Sequence, residues 1–355
     1  MGWILLEKRC VIVKNQMNKC LVTGATGYLG TVLIKSLHNA GYYVASLVLP
    51  GENTEYVSRY SDVRYSDVCD INTLEREAAG FDVLIHLAGI IDISTRNRAM
   101  MKRVNVDGTK NVAEICRKHG IKMIYCSSVH AIPCLTKNQT MTETTDFDPG
   151  RVKGLYSKTK AEATRAVLEM TRRGLDAMVA FPSGIIGPNE RKLSNIGQLI
   201  SDFLCGGLKA YVDGWYNFVD VRDVASGILG MMKNWKSGDC YILSAYEVSV
   251  GQMLSEIAKA SGKRMLRVEL PYWLVMGTSY LSELYYLLLH KKPLYTHYSL
   301  QTLHSNCHFS NQKACDGIKF STRPMQESLS DMTKWVIEHF TVKVGNKYMP
   351  CFFAE

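Results

Sequence analysis

Lys19-Cys20-Leu21-Val22-Thr23 runs straight into Gly24-Ala25-Thr26-Gly27-Tyr28-Leu29-Gly30. The first stretch has the composition of a buried strand. Beyond the glycines, Leu29, Val32, Leu33 and Leu37 recur at helical spacing, which predicts a helix over Tyr28–Ala40. A strand that enters a helix through so short a turn needs residues that tolerate positive φ. A turn without Cβ atoms also lets a pyrophosphate approach the backbone, where the helix N-terminus offers free N–H groups and the positive end of its dipole. The spacing is G-x-x-G-x-x-G, not the G-x-G-x-x-G of the common dinucleotide fingerprint. By itself it could be an ordinary strand–helix junction.

Strand and helix patterns alternate outward from this turn. Strands are predicted over Tyr42–Leu49, Asp82–Leu87, Lys122–Cys126 and Asp176–Phe181, with helices over Ile71–Ala79, Val104–His119 and Tyr156–Arg173. The order implies an α/β fold, a doubly wound parallel sheet with helices on both faces. Past Pro188 the pattern is irregular. Helices are expected over Ile196–Cys205, Val221–Lys233, Val250–Ser261 and from Arg323-Pro324 to Phe340, and strands over Cys240–Leu243 and Met265–Glu269. The domain reading is an N-terminal extension (1–16), a nucleotide-binding unit (17–188, with 215–245 returning to it), a smaller lobe for substrate (189–340) and a tail (341–355).

Tyr156-Ser157-Lys158-Thr159-Lys160 supplies the second signal, with Ser127-Ser128 between it and the glycine turn. Tyr156 and Lys160, at i and i+4, share one helix face. A phenol with a reference pKa of about 10 is a poor acid or base at neutral pH. A neighbouring ammonium favours the phenolate and lowers that value, so the pair suits general acid–base work. A serine at a strand end can donate to an oxygen that gains charge. The alternative for the pair is a plain helix start with a solvated lysine.

Composition is that of an ordinary globular protein. The chain has 355 residues, 46% hydrophobic and 21% charged, without repeats. Its net charge of +9 is scattered, which suits a polyanionic cofactor and argues against nucleic acid. The eleven cysteines form no C-x-x-C pair, so no metal site is expected. Cys20, Cys126 and Cys240 lie in strand-like runs and read as buried free thiols, in a reducing, cytoplasmic compartment. Residues 1–16 lack the charge order of a signal peptide; the fold is expected to start near Met17. Tyr272–Leu289 is apolar and aromatic but interrupted by Glu283 and Gly277. It reads first as a buried or lid helix, then as an interfacial helix, and last as a membrane span.

Taken together, these segments resemble the extended short-chain dehydrogenase/reductase superfamily, of NAD-dependent epimerase/dehydratase type, over about Asn18–Phe340. Its dihydroflavonol-4-reductase and 3β-hydroxysteroid dehydrogenase branch is the nearest match. The resemblance implies a Rossmann-type sheet and NAD or NADP. It implies that the turn from Gly24 through Thr26, Gly27, Tyr28 and Leu29 to Gly30 holds phosphate. Asp67 and Val68 would contact adenine, Leu87-Ala88-Gly89 would lie along the cofactor, and Pro182 and Ser183 would flank the nicotinamide. Asn105 opens the family's Asn105-Val106-Asp107-Gly108-Thr109 helix entry and would position a water or the lysine, or be only a helix cap. Ser128, Tyr156 and Lys160 would be the catalytic trio, with Lys160 also holding ribose hydroxyls. Phe218-Val219-Asp220-Val221 and Asp223-Val224 match the return into the core. Members often dimerise through the helices that begin near Asn105 and Tyr156.

The pattern departs in two places. An acid at the end of the second strand would select NAD and a nearby arginine NADP, but Val48, Leu49 and Pro50 stand there. Arg59 and Arg64 are the nearest arginines, and nothing in the sequence places them. Ser183 stands where many nucleotide-sugar enzymes carry asparagine, and Ser128-Val129-His130 where sugar dehydratases carry Thr-Asp-Glu. With the aromatic stripe Tyr272, Trp273, Tyr280, Tyr285 and Tyr286, this favours a hydrophobic ring substrate; ordinary core packing would explain the stripe equally. The leading expectation is an NAD(P)-dependent oxidoreductase interconverting a secondary alcohol and a ketone. The alternatives are a nucleotide-sugar epimerase and a non-catalytic NAD(P) sensor. His86 reads as a core histidine, and His130 as a residue near the site without an assigned role.

Overall fold

The computed structural model describes residues 19–91, 97–136, 139–277, 279, 297–344 and 347–350. The extension 1–16 and most of 272–289 lie outside the described residues.

Seven strands form one parallel sheet. In chain order they are β1 (Lys19–Thr23), β2 (Tyr43–Val48), β3 (Asp62–Tyr65), β4 (Val83–His86), β5 (Lys122–Cys126), β6 (Ala177–Pro182) and, after two strands that lie elsewhere, β9 (Cys240–Leu243). In space they run β3-β2-β1-β4-β5-β6-β9. The order reverses between β1 and β4, so the loops leaving these two strands open the crevice where such sheets take their ligands. The strands are buried on both faces. Cys20 and Val22 join the core under α1 (Tyr28–Asn39) and α7 (Val221–Lys233), while Leu21 joins the core on the other face. That second face is covered by α2 (Ile71–Ala78), α4 (Thr109–His119) and α5 (Leu155–Thr171). Leu33, Ile34 and Leu37 of α1 are fully buried, each worth about 1.5–3 kcal/mol. Cys20, Cys126 and Cys240 are buried free thiols.

The helix expected from Val104 begins earlier. A short α3 (Arg98–Lys102) passes through a π-helical stretch, Arg103–Gly108, into α4. Asn105 therefore lies inside a continuous helical run and is no cap. Its side chain leaves the helix to bind the loop after β4, and π-bulges are frequent where a helix carries such a group.

The smaller lobe has its own core, in which Ile186, Phe203, Leu204, Phe218, Met253, Leu254 and Leu329 pack together. Its three-stranded sheet runs β10-β8-β7, with β7 (Gly184–Ile186), β8 (Trp215–Asp220) and β10 (Tyr246–Ser249). Within 215–245, α7 and β9 thus return to the main sheet, but β8 does not. Asp220 caps α7 and pairs with Arg222 at 2.8 Å; burial pushes its carboxyl up, and the Arg222 bonds hold it below the usual range. Arg222 also reaches Asp331 on the helix Met325–Phe340, tying that helix to the junction. Met265–Glu269 is no strand; only a bridge between Tyr211 and Glu269 forms there. The expected tail contains a hairpin, β11 (Thr341–Val344) with β12 (Lys347–Pro350). Among the described residues, no helix is long and apolar enough to cross a membrane.

Candidate active site

The turn after β1 has the backbone its glycines suggest. Gly24 sits at φ +67°, and a Cβ there would come within 2.7 Å of Ala88 N. A Cβ on Gly30 would lie 2.3 Å from Gly24 O and 2.6 Å from Ala25 O. The third glycine therefore lets the helix start directly against the turn. Gly27 is the N-cap of α1, and the first turn carries neither a side-chain cap nor an acidic residue, so its N–H groups and dipole are available to an anion. Leu29 is core, whereas the Tyr28 hydroxyl donates to the Gly187 carbonyl and pins the loop after β7 over the turn.

Beside this turn, the β4 loop is fixed by the core. Leu87 N–H donates to Thr23 O at 3.2 Å, and Ala88 N–H to Thr23 Oγ1 at 3.2 Å. His86 is fully buried between Thr23 Oγ1 (Nδ1, 2.7 Å) and Thr109 Oγ1 (Nε2, 3.0 Å). Thr109 donates its own proton to Asn105 O at 2.7 Å, so His86 must donate from Nε2 and accept at Nδ1. Burial, reinforced by the Lys160 charge, brings His86 down to about 3. It is the satisfied core histidine its apolar strand suggested. Asn105 Oδ1 accepts from Ile90 N–H at 2.7 Å, while Nδ2 donates to Ile90 O and Thr159 Oγ1. The next glycine, Gly89, is so close that a Cβ would stand 3.6 Å from Lys160 Nζ.

Lys160 is 5% exposed and donates to Cys126 O at 2.9 Å, which rules out a solvated helix-start lysine. The two serines have separate partners. Ser127 Oγ is bound to Thr164 Oγ1 at 2.7 Å, inside α5. Ser128 Oγ accepts from His130 N–H at 3.3 Å and lies close enough to Tyr156 to draw its phenol downward. The structure thus brings Ser128, Tyr156 and Lys160 together and turns Ser127 away. Tyr156 departs from expectation in one respect. Burial pushes its phenol above the usual value and outweighs the downward pull of Lys160 and of Ser128. The lysine does favour the phenolate, but in so dry a place desolvation wins.

The other expected contacts fall around the same crevice. Asp67 accepts from Cys69 N–H at 2.8 Å and lies 3.6 Å from Arg103. Val68 is buried against Gly108. Pro182 ends β6, and Ser183 Oγ is buried without a hydrogen-bond partner. An orphaned hydroxyl at this point, the bare glycine cradle and the uncapped α1 terminus all suit a dinucleotide.

Arg59 pairs with Glu55, and Arg64 lies over Phe81, so neither is committed to the crevice. The residue that sequence reasoning missed is Glu52. Its Oε2 accepts from Thr26 Oγ1 at 2.9 Å and from Leu49 N–H at 3.2 Å. It lies beyond Pro50-Gly51, past the strand end where an acid is expected; the turn-forming Pro-Gly pair is the available sign that the chain doubles back. Of the aromatic stripe, Tyr272 stacks on His304 with centroids 3.6 Å apart and Trp273 is exposed; the rest lies outside the described residues.

Comparison with known proteins agrees with this geometry. Residues 20–245 match the model of the NAD dependent epimerase/dehydratase family. A Synechocystis sp. protein that carries, provisionally, the name dihydroflavonol 4-reductase is 28% identical over 328 residues, covering 91% of this chain and 95% of its own. Sterol demethylase protein B of Methylococcus capsulatus is 30% identical over 268 residues, 74% of this chain and 80% of its own. The crystal structure of gox2253 superposes with a TM-score of 0.80 at 28% identity, covering 91% of this chain and 98% of that one. The chain belongs to the NAD dependent epimerase/dehydratase family, a group within the extended short-chain dehydrogenase/reductases.

Proposed function

We propose that this enzyme interconverts a secondary alcohol and a ketone on a hydrophobic ring substrate, with NAD(H) as its cofactor. The observation that carries the reading is the trio itself: Ser128 and the buried Lys160 both act on the Tyr156 phenol, while Ser127 is bound to Thr164. The hydride is supplied or taken by the nicotinamide when the cofactor is bound. In the reductive direction Ser128 donates a hydrogen bond to the substrate oxygen as charge develops there. Tyr156, kept protonated at neutral pH by its burial, gives that oxygen its proton. Lys160 balances the phenolate that remains and would hold the ribose hydroxyls of a bound cofactor. Oxidation reverses these steps.

Ring substrates are supported by the likeness to a sterol demethylase component and by the absence of the sugar-enzyme residues at Ser183 and His130. The NAD preference rests on Glu52. Its carboxylate already fills the donors, Thr26 Oγ1 and Leu49 N–H, that a 2′-phosphate beside the turn would use. An acid about 20 residues beyond the glycine turn is the usual partner of ribose hydroxyls. The test is NADH oxidation with a panel of ketosteroids and flavanones, in the wild type and in Tyr156→Phe. Turnover in the wild type, with kcat lower by about 10²–10⁴-fold in the variant at unchanged NADH affinity, is expected. A Tyr156→Phe enzyme that keeps its full rate contradicts the assignment.

A further inference from the structure

The 3₁₀ turn that follows Ser128 brings a second polar group to the Tyr156 ring. His130 N–H approaches Ser128 Oγ at 3.3 Å, so this imidazole belongs to the same short turn as the serine. Its ring meets Tyr156 edge-on, with centroids 6.1 Å apart and planes at 74°. From the smaller lobe, the Tyr216 hydroxyl of β8 comes within 2.5 Å of His130 Nε2. Tyr216 in turn lies across Gly184, where a Cβ would be 2.6 Å from its Cε1. Gly184 follows Ser183, the residue with the orphaned hydroxyl. An imidazole and a phenol thus stand between the proton-bearing tyrosine and the segment expected beside the nicotinamide.

Packing alone does not call for this pair. Burying polar groups costs free energy that an apolar pair of the same volume would avoid. The imidazole has a second nitrogen, Nδ1, so the bond to Tyr216 leaves His130 a donor or an acceptor to offer, according to its tautomer. Burial keeps the ring neutral, down at about 4. A neutral group of this kind matches an uncharged oxygen better than a carboxylate or phosphate, which would call for a cation.

We infer that His130 and Tyr216 form a second substrate anchor, which binds a hydroxyl or carbonyl oxygen other than the reacting one. The placement beside Tyr156 puts that oxygen within about one ring's width of the reacting carbon. The substrate is then a ring alcohol or ketone oxygenated at two positions. This deepens the alcohol–ketone reading and rests on it.

The test compares cyclohexanone with 2-, 3- and 4-hydroxycyclohexanone as NADH-dependent substrates of the wild type, His130→Leu and Tyr216→Phe. At least one hydroxyketone should exceed cyclohexanone in kcat/KM by roughly tenfold or more. Both variants should bring that ratio close to one. Equal ratios in all three proteins overturn the anchor, and so does an equal loss on every substrate, which marks a packing role. A second readout is quenching of protein fluorescence by cyclohexanol and the cyclohexanediols in the presence of NAD. Diol-selective binding that both variants abolish, without turnover of any ketone, sustains the anchor and refutes the alcohol–ketone reading. Binding without selectivity, or no binding, overturns the anchor.

Discussion

Replacing His86 by Asn should remove a defined part of the protein's acid sensitivity. His86 is held neutral between Thr23 and Thr109, and burial brings its pKa down from 6.5 to about 3. The unfolded chain protonates near 6.5, so between that value and about 3 it binds a proton the native protein refuses. Stability therefore falls as pH drops through 6.5 and the loss levels off near pH 3. At about 1.4 kcal/mol per pKa unit, the full loss is roughly 5 kcal/mol, of which about 2 kcal/mol is present at pH 5. Asn does not titrate. His86→Asn should be less stable than wild type at pH 8, by about 1–3 kcal/mol for the broken Thr109 link. It should then lose about 2 kcal/mol less than wild type on going from pH 8 to pH 5. Urea unfolding at pH 8, 7, 6 and 5, followed by tryptophan fluorescence, gives both curves, and their difference cancels the baseline cost. Parallel curves would refute the buried, neutral assignment. His130 should add a further loss of similar size at pH 5, since it is brought to about 4 by the same cause.

Three further outcomes rest on the same geometry. Gly30→Ala would set its methyl against Gly24 O and Ala25 O; NADH affinity measured by fluorescence titration should fall at least about tenfold, with a stability loss of about 1–3 kcal/mol. Glu52→Gln removes the negative charge beside Thr26; the ratio of NADPH to NADH dissociation constants should fall by roughly tenfold or more, as expected for a charge pair worth about 1–4 kcal/mol at 4 Å. Ser128→Ala should lower kcat by about 10²–10³-fold. Ser127→Ala, which cuts only the bond to Thr164, should cost about 1 kcal/mol of stability and leave kcat within about threefold.

What the sequence made legible was local. β1, α1, β5, α7 and α8 (Val250–Ser261) are found where hydrophobic period and turn residues put them, because each is specified by its own residues. The meeting of Ser128, Tyr156 and Lys160 was legible for the same reason: Ser128 follows the end of β5, and Tyr156 and Lys160 stand four residues apart in the first two turns of α5. Missed features depend on contacts between distant segments. β3 is a half-buried edge strand with little apolar pattern. The helical run from Arg98 is exposed over its first three residues and is carried by its continuation into α4. Glu52 acts through a loop that doubles back, and the His130–Tyr216 bond joins residues 86 positions apart on different lobes. The sign of the Tyr156 shift was missed because adjacency to lysine can be read from a sequence, whereas the depth of burial cannot.

The most direct test of the central claim tracks the hydride. NADH carrying deuterium at the transferable C4 position would be incubated with the ketosteroid panel, and the products examined by mass spectrometry. The account predicts one deuterium at the carbinol carbon of a reduced product, with none formed by Tyr156→Phe. A protein that leaves every ketone unlabelled, while interconverting UDP-hexoses with no net cofactor change, would contradict it.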